Sequence, residues 1–383
     1  MKQPLCILVT GSLQPYAVDF YRALAQALDS RGCRFQVLVG SKSTYRPWAE
    51  MGIDENDPLF AFVSGKPAPE WLQRRLGSSS RDKILLPGGS GIGKALSARQ
   101  PELLIVNERN PLSISAALWA KVRRIPCLLS TDIGTSPPPY AATKFHLIYH
   151  RLLAGLFSGV IAKTKDAVTA PTRSGAAEPI LAPHGIDTAR YPLATGTKSE
   201  PFRFLFVGVL EERKGLDTLM TAARLIAAQG HQFEIRLVGS GSWAPSAEDA
   251  KSAWLSLAGF REGEALLEEY HAAGAFVLPT REDTYAVVVH EAASCGLPLL
   301  ISTGAGACHV LVEDGVSGFA ISPDDPETLA SRMATILDNQ ELQVTLAQGA
   351  RAKALQWCAT MSADRVVSWI QQYINLNSKI TSQ

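Results

Sequence analysis

The sequence reads as an α/β protein made of two Rossmann-like, doubly wound domains facing each other across a cleft. Three observations predict this. Short apolar runs rich in β-formers alternate with glycine or polar turns and with helical stretches. This strand–glycine–helix unit appears near the start and begins again at Phe202. The 383 residues suit two domains of roughly 150–200 residues each.

The first half opens with a strand at residues 5–10, then Gly11 and Ser12, a helix at about 18–30 and a second strand at 35–39. This is the β-loop-α-β opening of a doubly wound sheet. Gly11 sits where a backbone without a side chain lets a phosphate approach. Residues 41–82, rich in Pro, Trp and charge, carry no pattern that assigns elements. An apolar run at 84–86 leads into GGSGIGKA at 88–95. That run has G-x-x-x-x-G-K spacing, but Ala95 stands where a phosphate-binding loop needs Ser or Thr to hold magnesium. It reads better as a glycine loop before a helix at 94–99, with a P-loop kinase or ATPase as the weaker alternative.

Strands at 103–106 and 127–130 flank a helix at 113–122, and polar residues follow each strand. In open parallel sheets ligands bind outside the carboxyl ends of the strands. Asn107, Glu108, Arg109 and Asp132 are therefore candidate contacts for a second substrate, against capping and turn chemistry as the competing reading. A helix at 144–156 carries Lys144, His146, His150 and Arg151 beside an apolar face. His146 joins the same candidates. Such a helix suits a membrane surface or, more commonly, packing on its own domain. Short strands at 160–162 and 180–181 complete a first domain of residues 1–190, and 191–201, rich in Thr, Gly, Pro and Ser, reads as a linker.

The second domain, residues 202–357, begins with a strand at 202–207, Gly208 and a helix at about 216–229. A strand at 233–238, a glycine turn at 239–242 and a strand at 254–257 ending at Gly259 follow. Helices are expected at 325–337 and 341–355, and a last helix at 363–374 falls within the final segment, 358–383.

The most informative stretch runs from Gly274 to Leu300. Residues 275–279 read as a buried strand, 280–285 as a polar loop with Arg281, Glu282 and Asp283, and 286–295 as a helix stopped by Gly296 and Pro298. Asp283 falls at the carboxyl end of the strand. Glu291 follows eight residues later, about two helical turns on and on the same face. A carboxylate inside VVVHEAASC needs a partner. Two carboxylates beside the free N–H groups of a helix start suit a polyhydroxy ligand bearing phosphates.

Pro279-Thr280, an acid, seven residues, Glu291-Ala292 and then Cys295-Gly296-Leu297-Pro298 resemble the acidic signature of the retaining glycosyltransferases of family 4, or group 1, which have the two-domain GT-B fold. Asp283 takes the first acidic position, where that family more often has Glu, and Glu282 is placed to share it. Residues 182–187, APHGID, resemble the Pro-x-Gly-Val-Asp element that closes the family's first domain. The resemblance implies that the first domain binds the acceptor and the second the nucleotide sugar, and that the final helix crosses back to the first domain. It also assigns roles. Lys214, in Arg213-Lys214-Gly215, would contact the diphosphate. Val209 stands where the family usually has an Arg, and Arg213 would replace that charge, so Lys214, Arg213 and Asp283 are the catalytic candidates. Asp283 would bind sugar hydroxyls and Glu291 the ribose. The N–H groups of Thr284, Tyr285, Ala286 and Val287 would meet sugar or phosphates, with Glu282, Gly208 and Gly11 nearby and Gly259 and Phe260 facing the base.

Expelling a diphosphate builds negative charge on the leaving oxygen, so the site needs cations or a metal. The chain has no Asp-x-Asp element, and the expectation is a metal-independent enzyme without a cofactor, its nucleotide sugar being a substrate. The reaction expected is retaining transfer of a hexose or N-acetylhexosamine, from a UDP-sugar in preference to GDP-mannose, to a saccharide or lipid-linked acceptor in surface polysaccharide synthesis. A hydrolysing nucleotide-sugar 2-epimerase, for which His184 and His309 could act as acid–base groups, and a non-catalytic nucleotide-sugar binder are the alternatives.

Composition is that of an ordinary globular protein: 46% hydrophobic and 19% charged residues. The net charge of +1 conceals an asymmetry. Residues 1–200 hold 24 Lys+Arg against 15 Asp+Glu, or +9, and the rest holds 13 against 21, or −8. A basic first half points to an anionic partner, a phosphate-bearing acceptor or a peripheral membrane contact, unless the two halves neutralise each other. No nucleic-acid partner is expected. The six cysteines show no metal-ligand spacing and suit a reducing compartment. With no signal-peptide pattern and no apolar run long enough to span a bilayer, the expected location is the cytoplasm, at or near the inner membrane face.

Overall fold

The computed structural model describes residues 3–41, 53–54, 56–63, 91–134, 144–194 and 199–373. The apolar run at 84–86 and the first half of the glycine loop lie outside the described residues. The chain divides into two compact units, Met1–Ile186 with Ala359–Gln383, and Asp187–Cys358.

The first unit is built on seven parallel strands among the described residues: β1 (Leu5–Ser12), β2 (Arg34–Ser41), β3 (Phe60–Phe62), β4 (Leu103–Asn107), β5 (Cys127–Thr131), β6 (Gly159–Ala162) and β7 (Ile180–Leu181), in the order β3-β2-β1-β4-β5-β6-β7. Its helices are α1 (Pro15–Asp29), α2 (Ile92–Arg99), α3 (Pro111–Val122) and α4 (Lys144–Leu153), with the chain's last helix, Ala359–Ile370. Successive strand side chains point to opposite faces, and the core divides accordingly. Cys6, Leu8, Val37, Val39, Leu103 and Ile105 pack under α1 and the last helix. Ile7, Val9, Leu38, Leu104 and Val106 pack under α2 and α3.

The second unit contains β8 (Phe202–Val207), β9 (Phe233–Val238), β10 (Leu255–Gly259), β11 (Ala275–Leu278), β12 (Leu299–Ser302) and β13 (Gly318–Ile321), ordered β10-β9-β8-β11-β12-β13. This is the Rossmann order, with its topological switch point between β8 and β11. The helices are α5 (Leu216–Ala228), α6 (Gly263–Ala272), α7 (Val287–Ser294), α8 (Cys308–Leu311), α9 (Pro326–Leu337) and α10 (Gln340–Gln356).

Four differences from the sequence reading have local causes. β1 continues through Ser12, so Gly11 is a strand residue, and α1 begins at Pro15, a residue suited to the first helical position. α7 begins at Val287 because Ala286 takes a left-handed conformation, φ 68° and ψ 71°. Asp283 stays in the loop where the sequence put it, but the left-handed Ala286 breaks the helical phase, and the same-face spacing of Asp283 and Glu291 does not apply. The helix expected at 144–156 ends at Leu153 and tightens into a 3-10 turn, Ala154–Leu156. Finally, the boundary lies between Ile186 and Asp187. The start of the expected linker instead packs on the second unit: His271 Nε2 lies 2.9 Å from the Pro192 carbonyl oxygen, and Arg351 Nη1 donates to that of Tyr191 at 3.0 Å.

Candidate active site

At the β8/β11 switch point two loops are pressed together, backbone on backbone. The turn after β8 runs through Gly208, Val209 and Leu210 to a 3-10 turn, Glu212–Lys214, and Gly215 closes it at φ 67°. A Cβ on Gly215 would lie 2.1 Å from the Pro279 carbonyl oxygen, so only glycine lets this loop approach the end of β11. The Arg213 carbonyl accepts from the Arg281 N–H at 2.8 Å and from Thr280 Oγ1 at 3.0 Å, stitching the loops together.

This stitching brings Lys214 and Asp283 into contact. Lys214 is buried, and its Nζ pairs with Asp283 Oδ2. Asp283 Oδ1 accepts from the Tyr285 N–H at 3.2 Å, and the Asp283 N–H donates to the Gly304 carbonyl at 2.9 Å. The carboxylate is thus fixed from several sides. Arg213 is exposed, its Nε bonding Glu211 at 2.9 Å and its Nη1 reaching the Glu282 carbonyl at 3.3 Å. Glu282 is half-buried, and burial, with Asp283 beside it, raises its carboxyl above the usual range. Arg281 lies outside this cluster, clamping Asp217 at 2.6 Å and Asp324 at 2.7 Å.

Glu291 is held by two phenols that the sequence did not point to. Tyr191 donates to Oε1 at 3.0 Å and Tyr270 to Oε2 at 2.7 Å. Tyr270 lies on α6, a helix the sequence reading passed over, and Tyr191 lies in the segment read as linker. The carboxylate placed in an apolar helix does have partners, but they come from elements that local periodicity did not reveal.

All but one of the other donor-side candidates belong to the second unit. Gly208 follows β8, and a Cβ on Gly239, φ 142°, would fall 1.8 Å from its carbonyl oxygen. Gly259 ends β10 at φ 72°, and Phe260 beside it is exposed. Thr284 and Val287 are half-buried, Tyr285 and Ala286 buried. Gly11 lies in the first unit, where a Cβ would come within 3.3 Å of Asn110 Nδ2. Among the described residues no three His, Cys, Asp or Glu are grouped to hold a metal ion.

The first unit carries its own polar cluster at the carboxyl ends of β4, β5 and β6. Glu108, at φ 56°, turns its carboxylate to accept from Thr131 Oγ1 at 2.8 Å and from the Asp132 N–H at 2.7 Å. Burial and the neighbouring Asp132 push it up to about 7. Asp132 Oδ1 lies 2.6 Å from His184 Nε2, and although burial opposes it, the imidazole holds that carboxyl below its usual range. Lys163, just past β6, is buried with its ammonium 3.6 Å from the Phe20 ring centroid, and burial pulls it down to about 7. The sequence reading missed Lys163, although it follows an apolar strand just as Asn107 and Asp132 do. Arg109 is buried and reaches the Ile133 carbonyl at 3.5 Å. Asn107 donates to Thr10 at 3.4 Å. The side chain of His146 lies outside the described residues.

Residues 188–353 match the family described as Glycosyl transferases group 1. The D-inositol 3-phosphate glycosyltransferase of Geodermatophilus obscurus is 27% identical over 280 residues, 66% of this chain and 60% of that protein. The chain spans about half the length of the curated relatives it matches. Among solved structures, Anabaena HepE in complex with UDP superposes with a TM-score of 0.70 at 17% identity, covering 96% of this chain and 99% of that one. Sucrose-phosphate synthase from Thermosynechococcus elongatus does so with a TM-score of 0.69 at 18% identity, covering 98% and 100%. The fold is therefore the GT-B fold, and residues 188–353, nearly all of the second unit, match the Glycosyl transferases group 1 family.

Proposed function

We propose that the chain is a retaining glycosyltransferase that moves a hexose or N-acetylhexosamine from a nucleotide sugar to a saccharide or lipid-linked acceptor without a metal, in surface polysaccharide assembly at the cytoplasmic membrane face. The observation that carries this reading is the Lys214–Asp283 pair at the β8/β11 switch point, with Arg213 beside it. As the bond from the anomeric carbon to the diphosphate breaks, its electron pair stays on the leaving oxygen. The Lys214 ammonium, buried and pre-positioned, is the group that meets this charge. Asp283, anchored by backbone, orients sugar hydroxyls, and Glu291 meets the ribose from a carboxylate whose direction Tyr191 and Tyr270 fix. Exposed Phe260 offers an apolar face for the base. UDP is favoured as the carrier because HepE, of like fold, was captured with UDP.

The experiment is a thermal shift with UDP, GDP, ADP and ATP, with and without magnesium. A ligand at a hundred times its dissociation constant adds about 2.7 kcal/mol. Stabilisation by UDP that is indifferent to magnesium is expected; stabilisation by magnesium-ATP alone would discard the reading.

For a lipid-linked acceptor, the first unit offers an apolar and basic surface. Leu118 and Val122 on α3 and Ile148 and Leu152 on α4 are exposed, beside exposed Lys121, Arg123, Arg124 and Arg151. Lys121 Nζ would lie 3.9 Å from a Cβ on Gly155, which joins the ends of the two helices. Apolar side chains ringed by cations suit an anionic bilayer surface. Flotation with vesicles containing phosphatidylglycerol should carry the protein, and Val122→Glu with Leu152→Glu should abolish this; equal flotation of the double variant would refute the contact.

A further inference from the structure

Arg281 joins three loops of the second unit. It stands in the loop after β11. Its Nε donates to Asp324 Oδ1 at 2.7 Å, in the turn after β13, and its Nη2 to Asp217 Oδ2 at 2.6 Å, in the first turn of α5. Its Nη1 donates to the Glu212 carbonyl at 2.5 Å. That last bond bears directly on the site. The same carbonyl accepts from the Gly215 N–H at 3.0 Å, which closes the turn carrying Lys214. The Arg281 N–H meets this turn as well, donating to the Arg213 carbonyl at 2.8 Å. Side chain and main chain of one residue thus hold positions 212 and 213, just before Lys214, and Asp283 follows Arg281 by two residues.

Fold stability does not account for this arrangement. The side chains of Asp217 and Asp324 are 58% and 56% exposed, and ion pairs so open to water contribute little to a fold. Nor is Arg281 a further cation for a diphosphate, because two carboxylates already neutralise it and its Nε, Nη1 and Nη2 all have acceptors. The guanidinium also holds the Asp217 carboxyl below its usual range, so the pair stays ionised at neutral pH. A planar guanidinium presents its donors in fixed directions, which suits it to holding several acceptors in one geometry.

We propose that Arg281 is a positioning residue of the donor site, fixing the 212–214 turn so that the Lys214 ammonium is held beside Asp283, where it meets the diphosphate. This rests on the glycosyltransferase reading above. Lysine is a point charge on a flexible stem, so its aim depends on how firmly the backbone beneath it is held. A shift of about 1 Å in a positioned group can cost about 100-fold in rate. Arg281 acts through Lys214 and touches no substrate itself.

The test is a double-mutant cycle in the affinity of the full chain for UDP, measured by calorimetry, with GDP in its place if only GDP binds. It needs neither turnover nor an acceptor. Lys214→Ala is expected to weaken binding about 10–100-fold, as the loss of a hydrogen bond to a charged group does. Arg281→Ala is expected to weaken it about 10-fold in the wild-type background and less than twofold in the Lys214→Ala background, because residues that act through one another are not additive. Arg281→Lys keeps the charge without the fork and is expected to recover only part of the loss. If Arg281→Ala does not fold, Arg281→Gln takes its place in the cycle with the same expectation. Affinity within twofold of wild type in the single variant, an equal loss in both backgrounds, or full recovery by Arg281→Lys would overturn the positioning role while leaving the donor site standing. A Lys214→Ala protein that binds as tightly as wild type removes Lys214 from the site, and this inference with it. A wild type that binds neither UDP nor GDP overturns the glycosyltransferase reading itself.

Discussion

Lys214→Ala is expected to lower turnover of the nucleotide sugar by 10²–10³-fold, about 3–4 kcal/mol of lost transition-state stabilisation, with the fold intact. The large effect follows from burial. Lys214 is 6% exposed, so the charge it meets is little shared with water, whereas Arg213, nearly half exposed in its side chain, is screened and should matter less. The same substitution leaves Asp283 without its cation, but that carboxylate keeps the Tyr285 N–H and some solvent contact, so the cost in stability stays near the 1–3 kcal/mol of a half-satisfied polar group. Steady-state release of nucleoside diphosphate, read beside a melting curve, separates the two effects. A Lys214→Ala protein that turns over at near wild-type rate would remove Lys214 from the chemistry.

Gly215→Ala, one residue along, should fail for the opposite reason: its effect is on the scaffold. The added methyl group would stand 2.1 Å from the Pro279 carbonyl oxygen, at a φ of 67°. The left-handed backbone alone costs of order 1 kcal/mol for a residue with a Cβ, and the clash with backbone cannot be relieved by turning a side chain. The loops after β8 and β11 must part, and with them Lys214 and Asp283. A loss of at least about 3 kcal/mol corresponds to roughly 6–12 °C in a unit of this size. Gly230→Ala is the control. It has φ 89° with nothing within 4 Å of the added Cβ, so it bears the backbone cost without the collision. Equal melting points for the two variants would show that the contact with Pro279 yields more easily than the geometry implies.

The strands were legible because a buried parallel strand is a short apolar run closed by a turn, and nearly every such run became one. The two-fold repeat of strand, glycine and helix gave the doubly wound class for the same reason. Loop positions were legible as far as the carboxyl-end rule reaches, which puts Lys214, Asp283, Glu108 and Asp132 on the two sheet edges. Pairing was not. Lys214 and Asp283 are 69 residues apart in sequence and meet only because Gly215 permits a backbone contact. Glu291 finds Tyr191 at a separation of 100 residues and Tyr270 at 21. The eight-residue spacing from Asp283 to Glu291 misled, because one left-handed alanine resets the helical phase. Asp132 and His184, 52 residues apart, were each singled out by the sequence for a different role.

The last helix gives the first unit a property the second lacks. Ala359, Ala363, Val366, Val367 and Ile370 complete the core face shared with α1 and β1, and Trp369 and Tyr373 fill the space over Gly159. The second unit is a single uninterrupted run of chain, 187–358, whereas the first is written in two instalments separated by the whole of the second. A gene fragment can encode the second unit alone. No single fragment encodes its companion, and a cut at 186 divides a core instead of separating two domains.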